Sequence, residues 1–93
     1  MSADEELARC REEIGGVDRE IVKLLRRRVD LALKTGSLKR ELGLPILDPG
    51  REAIVIRTAV ELARSDGLPE EQVREIFWRI LGLSRGAQQE EEK

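Results

Sequence analysis

Ninety-three residues make one domain, and 17 Lys/Arg against 19 Asp/Glu leave a net charge of −2. The absence of histidine removes the commonest general base and metal ligand and any Ser-His triad, and the single cysteine, Cys10, removes an internal disulfide framework and a cysteine-cluster zinc site. One Trp, one Phe and no Tyr leave little for base stacking; no apolar run approaches the roughly 18 residues of a membrane span, and MSADEELARC is no signal peptide, so a soluble, cytoplasmic protein is expected.

From Leu7 to Leu42 apolar residues recur every seven positions. One seam reads Leu7, Ile14, Ile21, Arg28, Thr35, Leu42, and its companion Cys10, Val17, Leu24, Leu31, Leu38. This predicts one long helix over about residues 5–42 that carries ten Lys/Arg against six Asp/Glu between residues 7 and 42. Gly15-Gly16 is its weak point, at about 1 kcal/mol per glycine relative to alanine, and the place for any bend. Gly43 is a suitable stop. Asp48-Pro49, an N-cap followed by proline, opens a second helix over about 49–65 with a stripe of Glu52, Val55, Ala59 and Leu62. After the turn Ser65-Asp66-Gly67-Leu68, Pro69-Glu70-Glu71 opens a third over about 69–88, with acids at its positive end and a stripe of Val73, Phe77, Ile80, Ser84 and Gln88. Residues 89–93 are expected to be a frayed, solvated tail. With no strand signal and no internal repeat, the chain is expected to be all-α: a single domain of three helices over residues 1–93.

A 36-residue helix is about 54 Å long. A compact chain of this length has a radius of gyration of about 12 Å and is about 32 Å across. The long helix must therefore protrude, and its seam needs a cover. A second copy of the chain supplies one, as an intertwined helical homodimer.

Charges interrupt the packing stripes. Arg28 falls on the seam between Ile21 and Thr35, where an unpaired charge is costly. Lys39, eleven residues later, lies within about 20° of the same face and about 16 Å along, so the two side chains can lean over one small anion. A snorkelling arginine or a register-setting polar group explains Arg28 equally well. Asp48 and Glu52 continue the second stripe, as Ser84 and Gln88 extend the third. Singly they read as an N-cap, a helix-start acid and fraying helix-end residues. Jointly they describe a polar pocket holding cations, a carboxylate, a hydroxyl and an amide, suited to a small polyanion bearing hydroxyl groups.

These residues fall into five motifs: Leu-x-x-x-Arg-x-x-Ile-x-x-x-Asp ending at Asp18, Leu24-Leu25-x-x-Arg28, Gly36-x-x-Lys39, Asp48-x-x-Arg51-Glu52 and Ser84-x-x-x-Gln88. In that order and spacing, from about Leu7 to Gln88, the chain resembles the all-helical class of chorismate mutases. The resemblance implies rearrangement of chorismate to prephenate on the way to phenylalanine and tyrosine. It implies that Arg28, together with Arg11 donated by the partner chain, holds the two substrate carboxylates, with Ser84 assisting. Lys39 and Gln88 would hydrogen-bond the ether oxygen of the breaking bond. Glu52, with the backbone at Asp48, would receive the ring hydroxyl, and Arg51 would support it electrostatically. Lys39, Gln88, Arg28 and Glu52 are thus the implied catalytic set. A pericyclic step needs no nucleophile, no net proton transfer, no cofactor and no metal, which accords with the missing histidine.

Two other readings compete. An isochorismate-pyruvate lyase uses a similar helical fold and cationic pocket. A non-catalytic helical dimerisation module would need only the seam and the acidic tail. Nucleic-acid binding through Arg26-Arg27-Arg28 fits poorly with a net charge of −2 and so few aromatics, and no membrane partner is expected.

Overall fold

Ser2 starts the first helix by accepting the Glu5 N–H at 3.2 Å, and Asp4, Glu5 and Glu6 place negative charge at its positive end. The computed structural model describes residues 2–92 and builds them into α1 (Ala3–Leu42), α2 (Pro49–Ser65) and α3 (Glu70–Glu92), with no strand among the described residues. Helix α1 stops at Gly43, whose φ of 68° lets its own N–H reach the Arg40 carbonyl while the Leu44 N–H reaches that of Lys39. Gly67, with φ of 70°, ends α2 in the same way, through Gly67 N–H to Arg64 and Leu68 N–H to Ala63. Asp48 caps α2, its side chain accepting the Arg51 N–H at 3.0 Å with Pro49 in the first turn.

At forty residues α1 should be about 60 Å long, and the molecule's longest dimension is 61 Å, so the helix passes Gly15-Gly16 without a sharp bend. The radius of gyration, 17.4 Å, is well above that of a compact chain of this size, as the protruding helix requires. Among the described residues no helix is long and apolar enough to cross a membrane.

Helix α3 packs against α1 on one side and α2 on the other. The core is small: Ile56, Val60 and Leu81, with Val55 and Phe77 against them. Two sequence expectations need correction. On α2 the buried face is Ile56, Ala59, Val60 and Ala63, while Leu62 is 61% exposed. The two alanines let α3 come close, so the packing stripe is rotated from the expected one and Glu52 and Val55 turn toward a cleft. On α3 the helix continues to Glu92, so residues 89–92 are helical where a frayed tail was expected, and Lys93 lies outside the described residues. No proline or glycine follows Gly86, and Gln88 is tied to α1, so the last turns are propagated from an anchored residue.

The face that α1 offers to α3 is not the heptad seam. It comprises buried Val29 and Gly36, with Leu25, Ala32 and Leu33 half-buried. The seam residues Leu7, Ile14, Val17, Ile21, Leu24, Leu31 and Leu38 remain 48–59% exposed. At the far corner Arg64 bridges to Glu70 at 3.0 Å, and its hydrogen bonds hold the Glu70 carboxyl below the usual carboxylate range.

Candidate active site

The three helices enclose a cleft of about 360 Å³. Helix α1 contributes Arg28, Ala32, Thr35 and Lys39 to its wall, spaced by three or four residues so that they share one face. The start of α2 contributes Asp48, Arg51, Glu52 and Val55, and α3 contributes Leu81, Ser84, Arg85 and Gln88. Every residue proposed for the site from the sequence therefore meets the others here, except Arg11. That residue is exposed on the protruding part of α1, among Glu12, Glu13, Gly15 and Arg19.

The cleft's polar groups are held in place. Arg28 Nη1 donates to Ser84 Oγ at 2.8 Å, and Ser84 is itself buried. Lys39 Nζ donates to the Ile46 carbonyl at 3.1 Å, which fastens the end of α1 to the loop that delivers Asp48. Gln88 Nε2 donates to the Ala32 carbonyl at 2.8 Å. Gly36 lies beside that contact, and a Cβ there would sit in ordinary van der Waals contact with Gln88 Nε2, at 3.6 Å. A guanidinium has five donors, an ammonium three and a carboxamide two, so each group keeps at least one N–H for a ligand after its structural bond is made. No buried side-chain nitrogen or oxygen among the described residues lacks a partner.

Sequence reasoning overlooked Arg85. Its Nη2 donates to Glu52 Oε1 at 3.0 Å and its Nε to Glu52 Oε2 at 3.2 Å, a two-pronged ion pair joining α3 to α2 in the cleft wall. Arg85 lies four residues after Leu81, which is buried although the expected stripe ran through Ile80 and Ser84. Its charge is therefore seen to lie on a packing face, as that of Arg28 does on α1, only once that face is known. With it the cleft presents four cations (Arg28, Lys39, Arg51, Arg85) against two acids (Asp48, Glu52), an excess of positive charge suited to a small dianion. Oriented donors in a partly dry cleft stabilise negative charge without having to reorganise.

Residues 10–89 match the family model of chorismate mutase type II. The chain is 30% identical to the chorismate mutase of Methanocaldococcus jannaschii over 92% of its own length and 87% of that protein. It is 34% identical to a 4-amino-4-deoxychorismate mutase of Streptomyces venezuelae over 75% of this chain and 68% of the other. With the T-protein of Enterobacter agglomerans it shares 32% identity over 82% of its length, and it spans about a fifth, 20%, of that longer relative. A solved structure, a conserved hypothetical protein from Pyrococcus furiosus, superposes with a TM-score of 0.70 at 36% identity, covering 95% of this chain and 99% of that one.

Proposed function

This chain belongs to the chorismate mutase type II family, and from that premise we propose that it rearranges chorismate to prephenate in a cleft completed by a second copy of the chain. Within one substrate molecule the ether C–O bond breaks as a new C–C bond forms; nothing leaves and no proton is transferred on balance. What a protein can add is a hold on the compact reactive conformer and stabilisation of the negative charge that grows on the ether oxygen. Lys39 and Gln88 supply the donors to that oxygen, the ammonium by charge and the amide by its remaining N–H. Arg28, steadied by Ser84, takes one substrate carboxylate. Glu52 accepts the ring hydroxyl together with the backbone at Asp48, and Arg51 adds positive charge at that end.

The observation that carries this reading is the convergence of Arg28, Lys39, Glu52, Ser84 and Gln88 from three helices on one cleft with donors to spare. The dimer rests on a second observation. The α1 seam is half-exposed along its whole length, although α1 already spends a different face on α3. Arg11 lies on that protruding portion, about 25 Å along the helix from Arg28, too far for one small dianion to touch both on the same chain. An antiparallel second copy, laid seam to seam, would carry its own Arg11 to this chain's Arg28 and supply the grip on the second carboxylate.

Incubating purified protein with chorismate and following the loss of its absorbance, with identification of the product, tests the reading. Prephenate is the expected product. Pyruvate released from isochorismate, with chorismate untouched, would make the protein a lyase, and inertness toward both would leave only a dimerisation module.

A further inference from the structure

We propose that Arg85 sets the ring substituent the site accepts, admitting a hydroxyl and rejecting an ammonium at the same position. The inference rests on the assignment of the ring hydroxyl to Glu52 and goes beyond it, because Arg85 acts on the substrate through that carboxylate. The side chains of Arg85 and Glu52 are 37% and 22% exposed, so the pair stands in the cleft wall, partly withdrawn from water. One N–H goes to each carboxylate oxygen, which fixes the plane of the carboxylate.

This arrangement treats neutral and cationic donors differently. A carboxylate has about four lone-pair positions, so two remain after Arg85 is bound, enough for a hydroxyl. An ammonium would gain attraction to Glu52 and meet repulsion from a guanidinium within hydrogen-bond distance of the same oxygens. The two contributions nearly cancel, while the ammonium still loses its stronger hydration on entering the cleft. Were Arg85 absent, Glu52 would be a partly buried carboxylate without its guanidinium partner. An ammonium would then add a full Coulombic attraction that a neutral hydroxyl lacks, with no guanidinium to offset it, so such a carboxylate would favour the amine. Arg85 is therefore a positioning residue that governs specificity, and it touches no reacting atom.

The test compares kcat/KM for chorismate and for its analogue bearing an amino group in place of the ring hydroxyl, in the wild-type chain and in Arg85→Val, Arg85→Gln and Arg85→Lys. A ratio of two substrates in one preparation is independent of the fraction folded. Wild type should favour the hydroxyl substrate by at least about tenfold. Arg85→Val and Arg85→Gln should each move the ratio toward the amine by at least about tenfold. Arg85→Lys keeps the charge without the fork, so it should retain most of the preference while losing turnover. A wild-type preference for the amine, or ratios within twofold of wild type in whichever neutral variant folds, overturns the role of Arg85. Glu52→Gln separates the two layers. If that change leaves chorismate kcat/KM intact, the placement of the hydroxyl on Glu52 fails; if it lowers kcat/KM while the Arg85 variants keep the wild-type ratio, only the inference about Arg85 fails.

Discussion

Lys39 is anchored once, to the Ile46 carbonyl, and its two other N–H groups are left to turn into the cleft. If one of them meets the ether oxygen, its worth rises as the bond breaks, so its loss should fall on turnover more than on binding. Lys39→Ala is expected to lower kcat by at least about 100-fold, the scale of removing one oxyanion donor, with a smaller change in KM; near-wild-type kcat would contradict the assignment. Gln88 offers a second kind of check, since an amide donates at any working pH whereas a carboxyl donates only when protonated. Gln88→Glu should therefore be active mainly at acidic pH, with the rate falling as the new carboxyl ionises, ordinarily near pH 4.3. A flat pH–rate profile in that variant would remove Gln88 from contact with the developing charge. That Arg28, Lys39, Asp48, Glu52, Ser84 and Gln88 line one cleft was legible because polar residues that continue or interrupt a packing stripe are conspicuous, whereas Arg51 was suggested only by the family resemblance. Arg85 obeys the same rule only on the observed packing face, which buries Leu81, and its partner, Glu52, lies 33 positions away on another helix. Pairing at such a distance leaves no mark in local periodicity.

The three helices were legible from capping and spacing, and the errors lie where tertiary packing decides. The expected α2 stripe used Leu62, a large apolar residue, and the helix instead buries Ala59 and Ala63, because close approach to α3 rewards small side chains that a hydrophobicity pattern undervalues. The end of α3 was set too early for a related reason. Its acidic last turns have poor dipole chemistry, but the bond from Gln88 to Ala32 anchors them. The glycine pair in α1 provides a test at this scale. A Cβ at Gly15 or Gly16 would meet only the Arg19 guanidinium, at 3.7 and 3.8 Å, and both glycines are helical. Gly15→Ala and Gly16→Ala should each raise stability by up to about 1 kcal/mol in denaturant unfolding. A loss of stability would mean that a second copy approaches the helix backbone more closely at this point than a methyl group allows.

At the scale of the molecule, one chain leaves an apolar surface that it does not itself cover. The chain is 61 Å long, with a small core and an apolar seam that stays about half-exposed along the length of α1. The sequence disclosed this through arithmetic alone, since a helix longer than the globule must protrude. What it could not disclose is which face of α1 the chain keeps for itself, because two apolar faces on one helix look like a single broad one until α3 is seen to cover Val29 and Gly36. In the proposed dimer two copies build each site, one giving the cleft and the other Arg11. The most direct measurement uses two variants, Arg11→Ala and Arg28→Ala, each of which should be nearly inactive as a homodimer. Unfolded together and refolded in equal amounts, about half the dimers are mixed by random pairing, and each mixed dimer holds one intact site and one doubly damaged site. Activity should return to about a quarter of wild type. A refolded sample shown to contain mixed dimers, yet as inactive as its parents, would contradict the shared site.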